Sequence, residues 1–249
     1  MKVLITGASS GIGRELARSF SKRGASLLLV ARRKDRLDEL KDELGGDIEA
    51  IECDLSKREE VFALYEKLKD RDIDTLVNNA GFGLVGDFLS ADIDAELEMI
   101  ETNAVAPHIL TKLFYRDFAE KGRGRILNVA SSAAFMPSGP YFSTYYATKA
   151  YIYSLTRAVA KEAKAHGVSV SVLCPGPVKT EFDGRAGVEK SLKGSDAKAV
   201  AEYAVKKFLA GKELIIPETN IKLLKFATRL LPDKAATDLT AKQQQKKLK

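Results

Sequence analysis

The chain has 249 residues, 45% of them apolar and 30% charged, enough to build the core of one ordinary α/β domain and too apolar for a disordered chain. Two Cys and two His exclude a disulfide framework and leave too few ligands for a structural zinc site, so no metal is expected. The net charge of +6 lies entirely in residues 221–249, where eight Lys or Arg meet two Asp, and a neutral body is not that of a nucleic-acid binder.

Residues 3–6 are strand formers that stop at Gly7, and 11–23 read as a helix with Ile12, Leu16 and Phe20 four apart. A second buried strand is predicted over 27–30, then a charged helix over 35–44 ended by Gly45-Gly46. Strand 48–53, helix 58–69 and strand 75–78 follow, and then a long helix over 94–118 interrupted at Pro107. Strand 126–129, helix 145–165, strand 168–174, helix 196–210 and a last strand 214–216 complete the pattern. The alternation predicts an α/β fold: a single-domain doubly wound parallel sheet (Rossmann fold) of about seven strands with helices on both faces, over residues 1–217. Residues 218–249 form a basic amphipathic extension of the same domain, with an end, AKQQQKKLK (241–249), expected to fray. No apolar run approaches the ~20 residues of a membrane span and no signal peptide is legible, so a cytoplasmic location is expected.

TGASSGIG, residues 6–13, stands between the first strand and the first helix. Gly7, Gly11 and Gly13 permit a tight turn and let backbone N–H groups approach a pyrophosphate at the helix N-terminus. Ser9 and Ser10 add hydroxyls, and Ile12 opens the helix. The plainer alternative is a strand–helix turn without a ligand. At the end of the second strand, where an acid would bind a ribose 2′-hydroxyl, the chain has Ala31-Arg32-Arg33. Arginine pairs with phosphate, which favours NADP(H) over NAD(H); alternatively the two arginines only solvate the start of a charged helix. Asp54, followed by Leu55, is placed to meet the adenine, or to cap the next helix.

Tyr145 and Lys149 are four apart on a predicted helix, hence on one face. An ammonium beside a phenol stabilises the phenolate, and a tyrosine so tuned can exchange a proton with a carbonyl or alcohol oxygen during hydride transfer. With its surroundings, the pair makes the sequence resemble the short-chain dehydrogenase/reductase family in its ~250-residue form. The motifs TGASSGIG (6–13), Asp54, NNAG (78–81), Asn103, Ser132, Tyr145–Lys149 and PGPVKT (175–180) come in that family's order, over residues 1–217.

The resemblance implies a role for each match. Ser132, thirteen residues before Tyr145, would hydrogen-bond the substrate carbonyl, and Tyr145 would be the general acid in reduction. Ser131 takes that role if the loop differs by one residue. Lys149 would bind the nicotinamide ribose, and Asn103 would hold a proton-relay water, unless it serves to cap or kink the helix before Pro107. Pro175, Gly176, Val178 and Thr180 would position the nicotinamide, while Asn79, Ala80 and Gly81 would border the adenosine. Where some NADP-preferring members carry a basic residue before the middle glycine, this chain has Ser10, so a 2′-phosphate would rest on Arg32 with Arg33 helping. A homodimer or homotetramer through the helices 94–118 and 145–165 is implied as well.

The substrate end is less legible. Glu181–Asp196 would be a mobile lid with Phe182, Arg185, Lys190 and Lys193, and Phe135, Met136, Tyr141 and Phe142 would wall an apolar pocket or else only support their loop. The leading reading is an NADP(H)-dependent oxidoreductase that transfers hydride between the nicotinamide and a small-molecule carbonyl or alcohol. A 3-oxoacyl thioester reductase and a non-catalytic dinucleotide sensor are the alternatives. In residues 221–234, Leu223, Leu224, Ala227, Leu230 and Leu231 share one helix face and Lys222, Lys225 and Arg229 another. A packed lid or subunit contact is expected there ahead of a membrane-surface helix. Cys53 and Cys174 read as small buried residues, and structural roles are expected for His108 and His166.

Overall fold

A computed structural model describes residues 1–188, 194–228 and 230–245. The expectations for Lys190, Lys193, Arg229 and residues 246–249, and for the Arg185 side chain, lie outside what it describes.

Seven parallel strands form one sheet: β1 (Lys2–Thr6), β2 (Ser26–Ala31), β3 (Ile48–Glu52), β4 (Thr75–Asn78), β5 (Gly124–Val129), β6 (Val168–Leu173) and β9 (Leu214–Ile215), in the order β3-β2-β1-β4-β5-β6-β9. Two further short strands, β7 (Val178–Lys179) and β8 (Ser195–Asp196), pair with each other. Alternate residues of each central strand feed opposite faces, which is why the strands read as unbroken apolar runs. Val3 and Ile5 of β1 join the core under α1 (Gly11–Ser21), α2 (Lys34–Leu44) and α8 (Ala197–Leu209), with Leu16, Leu37 and Phe208. Leu4 between them joins the opposite core under α3 (Arg58–Leu68), α5 (Ala106–Glu120) and α6 (Ser143–Ala163), with Leu64, Phe114 and Ala160. Burying each such leucine or phenylalanine contributes about 1.5–3 kcal/mol.

The chain leaves β1 toward β2 and β3, then returns to β4 on the other side of β1. Crossovers diverge there, and a crevice opens at the carboxyl ends of β1 and β4. Gly7 and Asn79 immediately follow those strands.

The long helix breaks before Pro107: α4 (Ile93–Ile100) runs into a π-turn, Glu101–Val105, where the Ala106 N–H reaches back five residues to Glu101. Pro107 lies in the first turn of α5 and has no N–H for the carbonyl four residues back, that of Asn103, so the wider turn absorbs the break. In the extension, α9 (Thr219–Ala227) buries Ile221 and packs Leu224, while Leu223, Phe226, Leu230 and Leu231 stay exposed. The face that packs is therefore rotated from the leucine stripe of the sequence. Beyond Pro232 the chain does not fray as far as Gln245: α10 (Asp233–Gln245) buries Ala236, Thr240 and Gln244, each four apart. Among the described residues no helix is long and apolar enough to cross a membrane.

Candidate active site

One cavity of about 530 Å³ runs from the glycine loop to the N-terminal part of α6. It brings together all the expected cofactor residues except Gly13, which lies beneath the loop, and it includes Ser132 but not Asn103. Gly7 has φ +66°, and a Cβ there would stand 2.7 Å from the Ala80 Cα. A Cβ on Gly13 would stand 2.2 Å from the Gly7 carbonyl oxygen, so neither position admits a side chain. The Asn79 and Ala80 N–H groups donate to Thr6 Oγ1 at 3.0 and 3.1 Å, and Asn79 Nδ2 donates to the Thr6 and Gly7 carbonyls at 3.0 and 3.2 Å. The loop is thereby fixed to the end of β4. Ser10, the N-cap of α1, makes no side-chain capping bond, and Ser10, Gly11 and Ile12 line the cavity. A helix N-terminus so presented fits a pyrophosphate.

Beyond the loop the cavity is rimmed by arginines. Arg33 Nη2 donates to Ser9 Oγ at 3.2 Å and to Ser10 Oγ at 2.9 Å. Arg32 Nη1 turns away to Glu98 at 2.6 Å, with Asp54 at 4.0 Å. Of the two arginines, Arg33 is the one that covers the loop hydroxyls. Asp54 accepts from the Ser56 N–H and hydroxyl at 3.1 and 2.8 Å. Burial opposes its charge, but those bonds and the nearby Arg32 hold its carboxyl below the usual range. It does not cap α3, which starts at Arg58 after Lys57.

At the far end Tyr145 and Lys149 are both buried on α6, with the Lys149 Nζ 5.7 Å from the Tyr145 ring centroid. Lys149 Nζ donates to the Val129 carbonyl at 3.1 Å, and burial lowers its ammonium to about 8. Burial raises the Tyr145 phenol well above its ordinary value, opposed by a hydrogen bond from Ser131. The lowering expected from Lys149 is therefore not what governs this phenol in the structure; desolvation is. Of the two serines it is Ser131, the alternative, that bonds the Tyr145 hydroxyl in the structure. Ser131 is the extended N-cap of the 3-10 turn Ser132–Phe135, with its Oγ accepting from the Ala133 N–H at 3.1 Å. Ser132 instead donates its backbone N–H to the Pro175 carbonyl at 2.8 Å. The loop to Tyr145 is one residue longer than the expected spacing of thirteen.

Asn103 is buried in the π-turn behind the cavity. Its Nδ2 donates to the Phe82 carbonyl at 2.7 Å and to Thr148 Oγ1 at 3.2 Å, and its Oδ1 accepts from the Phe82 N–H at 3.0 Å. A Cβ on Gly81 would meet both Asn103 Oδ1 and Lys149 Nζ, at 2.9 and 3.3 Å. The helix distortion foreseen as the alternative for Asn103 is present, and its side chain ties that distortion to the segment after β4.

Aromatic rings wall the chamber over Tyr145. Phe142 stacks on it at 4.5 Å and Phe182, on the short helix α7 (Phe182–Arg185), stands at 5.4 Å. The Pro175–Thr180 segment closes one side, held by Gly176 N–H to Glu218 Oε2 at 3.2 Å and Phe182 N–H to Thr180 Oγ1 at 3.2 Å. Nothing in the sequence pattern pointed to α10 here. Thr240, Gln243 and Gln244 line the chamber, and Gln244 Nε2 donates to the Tyr146 hydroxyl at 2.6 Å. Burial pushes the Cys53 and Cys174 thiols up to about 12, so both are inert at neutral pH. His108 Nδ1 bonds the Tyr151 hydroxyl at 2.7 Å, outside the cavity. Among the described residues no group of three or more His, Cys, Asp or Glu is placed to hold a metal.

The pattern of the family described as short chain dehydrogenase matches residues 1–190. The chain is 36% identical over 196 residues to the uncharacterized oxidoreductase YvrD of Bacillus subtilis, covering 78% of this chain and 72% of that one. It is 35% identical to the ketoacyl reductase HetN of Nostoc, covering 82% and 74%. A solved short-chain dehydrogenase from Sphingobium yanoikuyae in complex with NADPH is 33% identical, with a TM-score of 0.84 over 92% of this chain and 93% of that one. The glycine loop locked against β4, the uncapped helix N-terminus and the buried tyrosine–lysine pair fit a nicotinamide dinucleotide in one cavity. By sequence and by fold, this chain belongs to the short-chain dehydrogenase/reductase family of oxidoreductases.

Proposed function

We propose that the protein is an NADP(H)-dependent carbonyl reductase, working in the reverse direction as an alcohol dehydrogenase. One arrangement carries the reading: Tyr145, bonded to Ser131 and one helical turn from Lys149, at one end of a cavity whose other end has Arg33 over Ser9 and Ser10. The nicotinamide supplies the hydride. Tyr145 gives its proton to the carbonyl oxygen as negative charge develops there. Ser131 donates a hydrogen bond to that same oxygen, replacing the bond it makes to Tyr145. A raised phenol suits this direction, since it stays protonated at neutral pH, and the ammonium of Lys149 lessens the cost of the phenolate left behind. Lys149 also holds the nicotinamide ribose hydroxyls, and Asn103 keeps the π-turn in register behind it. Arg33, with Arg32 further out, takes the 2′-phosphate. Phe142, Phe182 and Met136 select a ketone or aldehyde with an apolar body.

The 35% identity to a protein named ketoacyl reductase favours a second reading, a 3-oxoacyl thioester as the carbonyl substrate. NADPH oxidation against ketones, aldehydes and 3-oxoacyl thioesters, beside NADH, decides between them. Turnover that disappears in Tyr145→Phe supports the reductase, and the ranking of substrates names the class. NADPH binding with no turnover of any carbonyl rejects it in favour of a sensor. Exposed Ile93 and Leu97 on α4 and Tyr151 on α6 support assembly through these helices as a homodimer or homotetramer, which sedimentation tests.

A further inference from the structure

The segment after Thr180 joins the two ends of the cavity through adjacent residues. Glu181 reaches outward to the arginines: its Oε2 lies 3.0 Å from Arg33 Nη1 and its Oε1 2.5 Å from Arg36 Nη1. The Arg33 guanidinium is the same one that bonds Ser9 and Ser10. The next residue, Phe182, has its ring centroid 5.4 Å from that of Tyr145 and begins α7. A carboxylate of the chain itself thus occupies the guanidinium of Arg33, the arginine over the loop hydroxyls, with Arg36 holding its other oxygen from outside the cavity lining.

We propose that Glu181, anchored by Arg36, is a specificity-determining residue for the coenzyme, an internal carboxylate that competes with a ribose 2′-phosphate for Arg33. The inference rests on the NADP(H) reading above and adds what moderates it. Carboxylate and phosphate both take the planar guanidinium fork through paired N–H···O bonds, so the two anions contend for the same donors. A nucleotide with a free 2′-hydroxyl leaves the Glu181 pairs intact. One with a 2′-phosphate brings about two negative charges toward them, and Glu181 must yield or be repelled. The competition therefore lowers affinity for phosphorylated coenzyme alone. Release of the carboxylate removes the side-chain tie from Arg33 and Arg36 to the residue just before α7.

The test is the affinity of the full chain for NADP⁺ and NAD⁺, and for the fragments 2′-AMP and 5′-AMP, by titration calorimetry with no substrate present. Glu181→Gln keeps the shape and removes the charge. It is expected to tighten NADP⁺ and 2′-AMP about fivefold and to leave NAD⁺ and 5′-AMP unchanged. Amide exchange over residues 181–188 is expected to be faster with NADP⁺ than with NAD⁺ in the native protein, with that difference gone in Glu181→Gln. An unchanged NADP⁺/NAD⁺ ratio in Glu181→Gln overturns the proposal, as does weaker NADP⁺ binding, which would make Glu181 a support that holds Arg33 for the phosphate. Arg33→Gln separates this failure from failure of the underlying reading. If Arg33→Gln alters neither nucleotide's affinity, the 2′-phosphate site itself is rejected; if it weakens NADP⁺ alone while Glu181→Gln does nothing, only the competition is rejected.

Discussion

The two ends of the cavity use charge in opposite ways. At the adenosine end Arg32, Arg33 and Arg36 stand partly in solvent, each paired with a carboxylate, Glu98 or Glu181. Such exposed pairs contribute little to stability, typically about 0–1 kcal/mol, and they exchange partners readily. At the catalytic end Lys149 and Tyr145 are buried, and desolvation moves both groups away from their charged forms. An exposed charge recognises an incoming anion at small cost, whereas a buried ionisable group holds a proton ready to move. The first arrangement is soft and salt-sensitive, and the second is rigid and sensitive to pH.

The comparison breaks most sharply at the catalytic end. Ser131→Ala is expected to lower kcat by about 10²–10³-fold while Ser132→Ala stays within a few-fold, measured by steady-state NADPH oxidation. The opposite order would return the carbonyl contact to Ser132. Next comes the pH response of Lys149. Its ammonium is lowered from 10.5 to about 8, so kcat/KM for reduction is expected to fall as pH rises through 8. The stability effect has the other sign. The cost of burying the charge is complete below pH 8 and fades as pH rises from 8 toward 10.5, where the unfolded chain also loses the proton. Lys149→Met is therefore expected to be inactive yet more stable at pH 7, by roughly 1–3 kcal/mol after loss of the Val129 bond, with the gain shrinking toward pH 10 in urea titrations.

Smaller effects sharpen the adenosine end. Arg33→Gln is expected to reduce the preference for NADPH over NADH about tenfold and Arg32→Gln less, with both differences shrinking at high salt. An equal loss in the two variants would restore the arginines to equal rank. The smallest effect is expected from Gln244→Leu, which removes the bond from α10 to Tyr146. It should change KM for bulky ketones by a few-fold without moving NADPH affinity; a change in NADPH affinity would show that α10 supports the whole cavity and not the substrate chamber alone.

Much of this was legible in the sequence because it rests on local chemistry. Unbroken apolar runs such as Leu27–Leu29 call for a sheet covered on both faces, and Tyr145 and Lys149 share a face wherever that segment is helical. The glycine loop needed only its place between strand and helix. What escaped the sequence depends on the path of a connecting loop or on the rotation of a helix. Ser131 and Ser132 are chemically identical, and one residue of loop length decides which hydroxyl meets Tyr145. Ala236, Thr240 and Gln244 form the buried face of α10 without an apolar stripe, so periodicity of hydrophobicity passes over them. The leucine stripe of residues 223–231 misled for the converse reason, since α9 packs through Ile221 and, of the stripe, Leu224, while Leu223, Leu230 and Leu231 stay outside.

By itself the sequence determined the fold class, the place of the dinucleotide loop and the tyrosine–lysine pair, because backbone sterics, hydrophobic period and helix pitch act over a few residues. Only the tertiary structure decided which serine faces Tyr145, which arginine covers the loop, and that Glu181 reaches Arg33 across 148 positions of chain. Contacts between segments so distant are set by how the sheet stacks its connections, and the spacing within any one motif carries no record of that.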